Sequence, residues 1–376
     1  MHKKSKDLKQ LNKMIYLAYF IVGFSVIQLL VAFVNLIFNQ PFSKSKTSFN
    51  GLVSILIPAR NEENNIACIL SDLQQQDYQN IEIIVYNDQS TDKTEEIVKA
   101  FSDNDSRIKL MCSNGLPEGW LGKNHACFSM SKQAKGIFLL FLDADVRISK
   151  DILIKTISQS IKYNIGLLSI FPKQIMLTLG ERITIPNMNY ILLSLLPLVL
   201  VRKSTYPSLS AANGQYMLFN SEKYFEINPH EIMKANKVED IEIARYFKKN
   251  NISVACLTGD DTITCRMYQG FNEAVNGFSK NVTTFFGNSF IVAFLFWLIT
   301  TFGFLVVIFS LGSTEVILFL FTILIARIFI SLISKQNIVM NLILLIPQQF
   351  ALGFFIYKAF IYKFKNQYLW KDRSIS

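Results

Sequence analysis

The chain has 376 residues, 38 basic and 28 acidic, for a net charge of +10; 51% of it is hydrophobic and 18% charged. Soluble globular chains carry about 25% charge, so the composition points away from a wholly soluble or disordered protein. The positive excess sits at the two ends: residues 1–50 hold seven Lys and one Asp, and residues 358–376 four Lys and one Arg against Asp372. A nucleic-acid binder would carry basic charge across its folded domain. Basic flanks suit a membrane surface instead, and no nucleic-acid partner is expected. Five Cys (68, 112, 127, 256, 265) without a C-x-x-C, and three scattered His, give no zinc spacing and read as reduced thiols, mostly small core residues.

In chain order, residues 1–50 form a basic segment and a membrane anchor. Met14–Phe38 is uncharged and long enough to cross a bilayer core of about 30 Å. Lys3, Lys4, Lys6, Lys9 and Lys13 precede it, and Lys44 and Lys46 follow it. The positive-inside rule asks for both sets on one side. Either the run is a hairpin broken near Gly23, or the rule fails here.

Residues 51–284 read differently. Val53–Ala59, Ile81–Asp88, Ile108–Ser113 and Phe138–Asp145 are short β-rich runs alternating with helix-compatible stretches. Asn64–Gln76 places Ile66, Ile69, Leu70 and Leu73 on one helical face. This alternation predicts an α/β domain with a mostly parallel, Rossmann-like sheet covered on both faces. Ile183–Val201 is apolar but carries Pro186 and Pro197, and reads as buried or interfacial rather than spanning. Tyr268, Phe271, Val275, Phe278, Val282 and Phe285 recur at helical spacing over 268–286. That stripe fits a core-facing helix or one lying in the membrane interface, where it would hold the active site at the bilayer surface.

Residues 285–357 are the C-terminal membrane segments. Phe285–Leu311 has no charge, and Val316–Ser334 only Arg327; a tight turn at Gly312–Glu315 would join them as two spans. Ile338–Tyr357, interrupted by Asn341 and Pro347-Gln348-Gln349, spans or re-enters. Residues 358–376 form a basic tail on the cytosolic side.

Open α/β sheets bind ligands beyond the carboxyl ends of their strands. Here those ends read Pro58-Ala59-Arg60-Asn61-Glu62-Glu63, Asn87-Asp88-Gln89-Ser90-Thr91-Asp92 and Asp143-Ala144-Asp145. Each alone passes for a helix cap or a loop; three in order are hard to explain as caps. PARNEE, YNDQSTDKT and FLDADV together resemble the nucleotide-sugar half of a family 2 glycosyltransferase with the GT-A fold, over about residues 52–284. GWLGKNHACFSMSKQAKG (119–136), RMYQGFNEAVNGFSKN (266–281) and WKDRSIS (370–376) are similar to membrane-bound lipid glycosyltransferases, those acting on carotenoid acids first and hopanoid-associated ones next.

The resemblance implies a cytosolic GT-A domain flanked by membrane helices at both termini, in a multi-pass protein of the cell membrane. It implies a nucleotide-sugar donor, a lipid acceptor in the bilayer, and Mg²⁺ or Mn²⁺ as Lewis acid for the departing diphosphate. Asp145, with Asp143 beside it, is the expected metal ligand. Pro58, Arg60, Glu62 and Asp88 are expected to line the nucleotide site, and Lys123, Arg266 and Lys280 to lie near the diphosphate. Asp240, in Val238-Glu239-Asp240-Ile241, is the expected general base of an inverting transfer, with a helix cap as the plainer alternative. His125 reads as structural. Processive polysaccharide synthases of this family carry Q-x-x-R-W, but none of Trp120, Trp297 and Trp370 follows an Arg. A single transfer onto a lipid is therefore expected, ahead of polymer synthesis or a non-catalytic scaffold.

Overall fold

The computed structural model describes residues 2–39, 42, 49–365, 369–370 and 373–374, without the side chains of 2–11, 365 and the last two pairs. Lys44, Lys46, Lys371 and the side chains of Trp370 and Arg373 lie outside the described residues. The chain forms two compact units. One comprises Asn39–Ile175 and Leu198–Met267 with the terminal Leu369–Ser376, the other Met1–Phe38, Met176–Pro197 and Tyr268–Tyr368.

The first unit is built on strands β1 (Val53–Ala59), β2 (Ile81–Asn87), β3 (Ile108–Cys112), β4 (Phe138–Leu142), β5 (Val146–Ile148), β6 (Leu167–Phe171), β7 (Lys173–Gln174), β8 (Tyr216–Asn220), β9 (Val254–Thr258) and β10 (Ile263–Cys265). The main sheet runs β3-β2-β1-β4-β8-β6-β9. Its first four strands are parallel, with Val53 opposite both Ile81 and Phe138. These are the four strands expected from the sequence. β8 enters antiparallel between β4 and β6, and β9 is parallel to β6.

Both faces of the sheet are covered, so the strands carry continuous apolar runs rather than alternation. On one face Ile55, Ile57, Ile83 and Val85 meet Ile66, Ile69, Leu70 and Leu73 of the helix Ile66–Gln74, the face expected from its spacing. On the other side Phe141 packs against Phe219, Tyr224 and His230, with ring centroids 5.4, 5.5 and 4.6 Å away. A small sheet, β5-β10-β7, sits beside the end of β4. All five cysteines are free thiols; Cys127, Cys256 and Cys265 are buried, whereas Cys68 and Cys112 are exposed.

The second unit is helical. Residues His2–Ile37 form one unbroken helix, so the hairpin near Gly23 is corrected. A glycine in a helix interior costs only about 1 kcal/mol relative to Ala, too little to interrupt so long an apolar run. The helix carries Lys3, Lys4, Lys6, Lys9 and Lys13 toward its N-terminal end. Among the described residues three helices are long and apolar enough to cross a membrane: Asn12–Ile37, Phe290–Ser310 and Ser313–Ile333. The last two are joined by Leu311-Gly312, a tighter turn than expected, because Glu315 already sits in the first turn of the second helix, where a carboxylate is favourable. Ile338–Tyr357 is not one helix: Ile338–Ile343 ends at Leu344, and Leu345–Lys365 begins with Pro347 in its first turn, where the missing N–H is tolerated. Ile183–Val201 is divided among the short helices Leu179–Thr184, Pro186–Leu195 and Leu198–Lys203.

The apolar stripe lies on the helix Phe271–Asn281 and the 3₁₀ turn Val282–Phe286. Ala274, Val275, Phe278 and Val282 are buried. Phe278 packs on Phe355 and Tyr268, centroids 5.3 and 5.0 Å away. Asn276, off the stripe, accepts hydrogen bonds from Lys358 and from the Tyr362 hydroxyl, the latter at 3.2 Å. The stripe faces the helix Leu345–Lys365 of its own unit, which favours the core-facing reading. Removing a buried Phe side chain costs 3–5 kcal/mol, and an unpaired buried charge adds to that. Phe278→Glu is therefore expected to destabilise this unit by about 3 kcal/mol or more, seen as a lower melting temperature in detergent. A wild-type melting curve would return the helix to an interfacial role.

Candidate active site

The loops after β1 and β2 are latched to each other. Asn61 and Gln89 both adopt left-handed backbone, φ 53° and 56°. Asn61 Oδ1 accepts the Thr91 N–H at 2.9 Å, while the Asn61 N–H donates to Ser90 Oγ at 3.0 Å. Glu63 N–H donates to Asp92 Oδ2 at 3.0 Å, and Lys93 N–H donates back to Glu63 Oε2 at 3.1 Å. Carboxylates of each loop thus satisfy backbone donors at the other's helix entry, which isolated helix starts leave open. Arg60 is part of the latch, donating Nη1 to the Asp88 carbonyl at 2.7 Å, and Asp88 N–H donates to Ala59 O at 2.8 Å. Glu62 donates its N–H to Thr94 Oγ1 and receives Asn65 Nδ2, each at 2.8 Å. Pro58 lies in β1 opposite Tyr86. Asp88 is buried at the end of β2.

Asp143 and Asp145 lie between β4 and β5. The Asp143 N–H donates to Gln215 O at 3.1 Å, which fixes this turn to the loop before β8. Pairing of β5 with β10 sets Val146 opposite Cys265 and so brings the segment before Arg266 to the Asp145 turn. Asp145 Oδ1 is buried and has no hydrogen-bond partner. Burial first, then the neighbouring Asp143 and Glu62 carboxylates, push its carboxyl up to about 7. The Cys265 thiol and the Lys123 charge pull the other way without offsetting this. Among the described residues no three His, Cys, Asp or Glu converge as a ready-made metal cage. That donor set still suits a Mg²⁺-type ion, which is usually held by one or two carboxylates together with substrate phosphates and water.

Lys123 is the cation of the site. It enters on the helix Gly122–Ser131, whose Asn124 side chain is tied to the carbonyls of Met233 and Asn236 at 2.7 and 2.9 Å. Its Nζ lies 2.8 Å from Asp143 Oδ1 and 3.6 Å from Glu239 Oε1. Burial pulls the ammonium down, but Asp143 and Glu239 together outweigh it and hold Lys123 well above its ordinary value. Asp240 is in the first turn of the helix Glu239–Lys249. Its Oδ2 accepts the Gly214 N–H at 3.0 Å and its Oδ1 the Ile241 N–H at 2.8 Å. Burial and then Glu239 push Asp240 up to about 7, against the pull of those N–H groups and Lys123. Gly214 leaves room for the cluster, since a Cβ there would meet Lys123 Nζ at 3.0 Å.

The structure thus gathers Asp143, Asp145, Lys123 and Asp240 around the ends of β4 and β8, with the Pro58–Glu62 and Asp88 loops beside them on β1 and β2. Arg266 directly follows β10. Lys280 belongs to the helical unit. His125 sits among Tyr86, Ser129 and Trp120 with its ring nitrogens 3.4 Å from two hydroxyls, a structural setting. Glu239, Asn61, Ser90 and Asp92 were read from the sequence only as parts of strand-end or acidic motifs and as helix caps, not as members of the site or of a latch, and Gly214 was not singled out.

A mixed sheet led by four parallel strands, with paired aspartates at the end of β4, defines a GT-A fold. Residues 54–177 match the family model described as glycosyl transferase family 2. The 4,4'-diaponeurosporenoate glycosyltransferase of Staphylococcus haemolyticus is 26% identical over 240 residues, 61% of this chain. The match spans 60% of that relative, less than two thirds of its length. The Staphylococcus aureus USA300 protein of the same name is 28% identical over 279 residues, 70% of this chain and 71% of its own. In fold, the chain is similar to a Pyrobaculum calidifontis mannosyltransferase in complex with GDP-Man and Mn²⁺, with a TM-score of 0.58 at 14% identity over 92% of this chain and 99% of that one.

Proposed function

We propose that the chain is an inverting, metal-dependent glycosyltransferase that moves a sugar from a nucleotide sugar to a lipid acceptor dissolved in the membrane. UDP-glucose is the first donor to test. A carotenoid carboxylic acid is the first acceptor, supported by the names of the staphylococcal relatives, and a hopanoid or other lipid the next. The observation that carries the reading is the Asp145 oxygen without a partner, set beside Asp143, Lys123 and Asp240 in a chain whose residues 54–177 match the glycosyl transferase family 2 model. The three long apolar helices support a multi-pass protein of the cell membrane, with the catalytic domain on the cytoplasmic side, where nucleotide sugars are made.

In this reading Asp145 and Asp143 hold a Mg²⁺ or Mn²⁺ ion. When bound, that ion offsets the charge that develops on the departing nucleoside diphosphate. Lys123 shares the task with its ammonium, already ordered by Asp143 and Glu239. Asp88, Pro58 and Glu62 shape the nucleotide side, with Arg60 holding the Asp88 loop, and Arg266 and Lys280 are further candidates for the diphosphate. Asp240, oriented by the Gly214 N–H, faces the acceptor.

The direct test incubates the protein in membranes with UDP-glucose, Mg²⁺ or Mn²⁺ and a lipid extract, and follows glycolipid formed and UDP released. No consumption of any nucleotide sugar with any acceptor would sink the proposal. A water-soluble polymer would reassign it to polysaccharide synthesis. A second measurement concerns Lys123. Hydrogen bonds to charged groups contribute about 1.5–3 kcal/mol, so Lys123→Met is expected to weaken UDP binding by about 10- to 100-fold by calorimetry. Unchanged affinity would remove Lys123 from the diphosphate site.

A further inference from the structure

Inside the helical unit lies a polar network unrelated to the sugar-transfer residues. Arg327, on the apolar helix Ser313–Ile333, is only 4% exposed. A long cationic side chain near a helix end normally reaches out to water, and one kept inside a membrane segment marks a functional site by default. Here the guanidinium sits over the Tyr190 ring, Cζ 3.5 Å from its centroid, and its Nη1 approaches Gln348 Oε1 at 3.5 Å. Both partners are neutral, and among the described residues no carboxylate pairs with it.

The amides beyond it have their acceptors taken. Gln348 Nε2 donates to Asn341 Oδ1 at 3.0 Å, and to the Arg182 carbonyl at the same distance. Asn341 Nδ2 donates to Gln336 Oε1 and to Ser331 Oγ, each at 2.9 Å. Gln336 Nε2, at the end of this chain, is buried with no partner. Each amide oxygen of the series is thus occupied, both Gln348 amide hydrogens are spent, and the Arg327 guanidinium is left with neutral partners only. Buried donors without acceptors are costly. Their complement is an anion with several acceptor oxygens, which a planar guanidinium binds with two parallel hydrogen bonds. Leu318, Phe321 and Leu324 are exposed on the same helix, a surface for hydrocarbon rather than water.

We infer that Arg327 forms a binding site for the anionic group, carboxylate or phosphate, of an amphiphile dissolved in the bilayer. The inference stands independently of the transfer reaction, because its readout is binding. The full chain in neutral phosphatidylcholine nanodiscs is titrated with oleate, with phosphatidylglycerol, or with uncharged oleyl alcohol, and its melting temperature is followed. Oleate or phosphatidylglycerol should raise it and oleyl alcohol should not. A response to oleate alone assigns a free carboxylate, and one to phosphatidylglycerol a phospholipid headgroup.

Arg327→Gln should lose at least tenfold in apparent affinity for the responding anion, and Arg327→Lys, which keeps the charge without the fork, should lose less. An equal response to oleyl alcohol, or an unchanged response in Arg327→Gln, overturns the site and leaves a water-filled polar pocket. If the Gln variant does not fold, wild-type protein is photolabelled with a diazirine derivative of oleate. Labels on residues 327–348 that excess oleate displaces support the site, and labels confined to other segments overturn it.

Discussion

Asp145→Asn should abolish turnover while the protein stays folded and inserted. Metal Lewis-acid stabilisation of a departing phosphate is worth several kcal/mol, and each 1.36 kcal/mol is tenfold in rate, so a loss of about 10³-fold or more is expected. The structural ground is the buried Asp145 Oδ1, which has no hydrogen-bond partner and stands against two like charges, Asp143 and Glu62. An amide has the same shape without the charge, so the pocket keeps its form and loses its attraction for a cation. Metal-dependent UDP binding should fall with turnover, whereas metal-free melting should hold or rise, since a buried like charge has been removed. Wild-type activity in this variant would refute the metal-ligand assignment. A protein that no longer folds would instead show that Asp145 is held for structure, and Asp143→Asn would then carry the test.

The parts of this site differ in how far they could be read from the chain. Strands β1 to β4 were legible because each is a short apolar run closed by a polar cluster, and because Ile66, Ile69, Leu70 and Leu73 announce the helix between the first two. β6, β8 and β9 were not named: Leu167–Phe171, Tyr216–Asn220 and Val254–Thr258 are equally apolar, but no strand-end motif sets them apart from buried helix. The hairpin near Gly23 was offered to satisfy the positive-inside rule, but one glycine does not interrupt so long an apolar helix. Asp88, Asp143, Asp145, Lys123 and Asp240 were visible as motif residues. Their mutual contacts were not, because Lys123, Asp143, Gly214 and Glu239 meet only through strand order. The latch between Asn61 and Thr91 is likewise a product of β1 and β2 lying parallel in register, which brings two loops 30 residues apart side by side.

Asp240→Asn separates the chemistry from nucleotide binding, and its effect depends on the acceptor in a way that pH exposes. With Asp240 held up near pH 7 by burial and Glu239, the carboxyl is largely protonated below that value and ionised above it. A hydroxyl acceptor needs the ionised form to take its proton. Turnover with such an acceptor should rise through about pH 7, and Asp240→Asn should cost 10²–10⁴-fold and erase that limb. A carboxylic acid, with a pKa near ~4, is already ionised and needs no base. Facing it, ionised Asp240 is a repelling neighbour, whereas the protonated form can donate a hydrogen bond to it. Turnover with a carotenoid acid should therefore fall as pH rises through about 7, and Asp240→Asn, which also keeps a donor there, should flatten the decline at little cost in rate. Either profile places Asp240 at the acceptor, provided the affinity for UDP-glucose is close to wild type in both cases. Loss of nucleotide-sugar binding in Asp240→Asn would mean that this carboxylate serves the donor side through Lys123, and the division of labour between the ends of β4 and β8 would have to be redrawn.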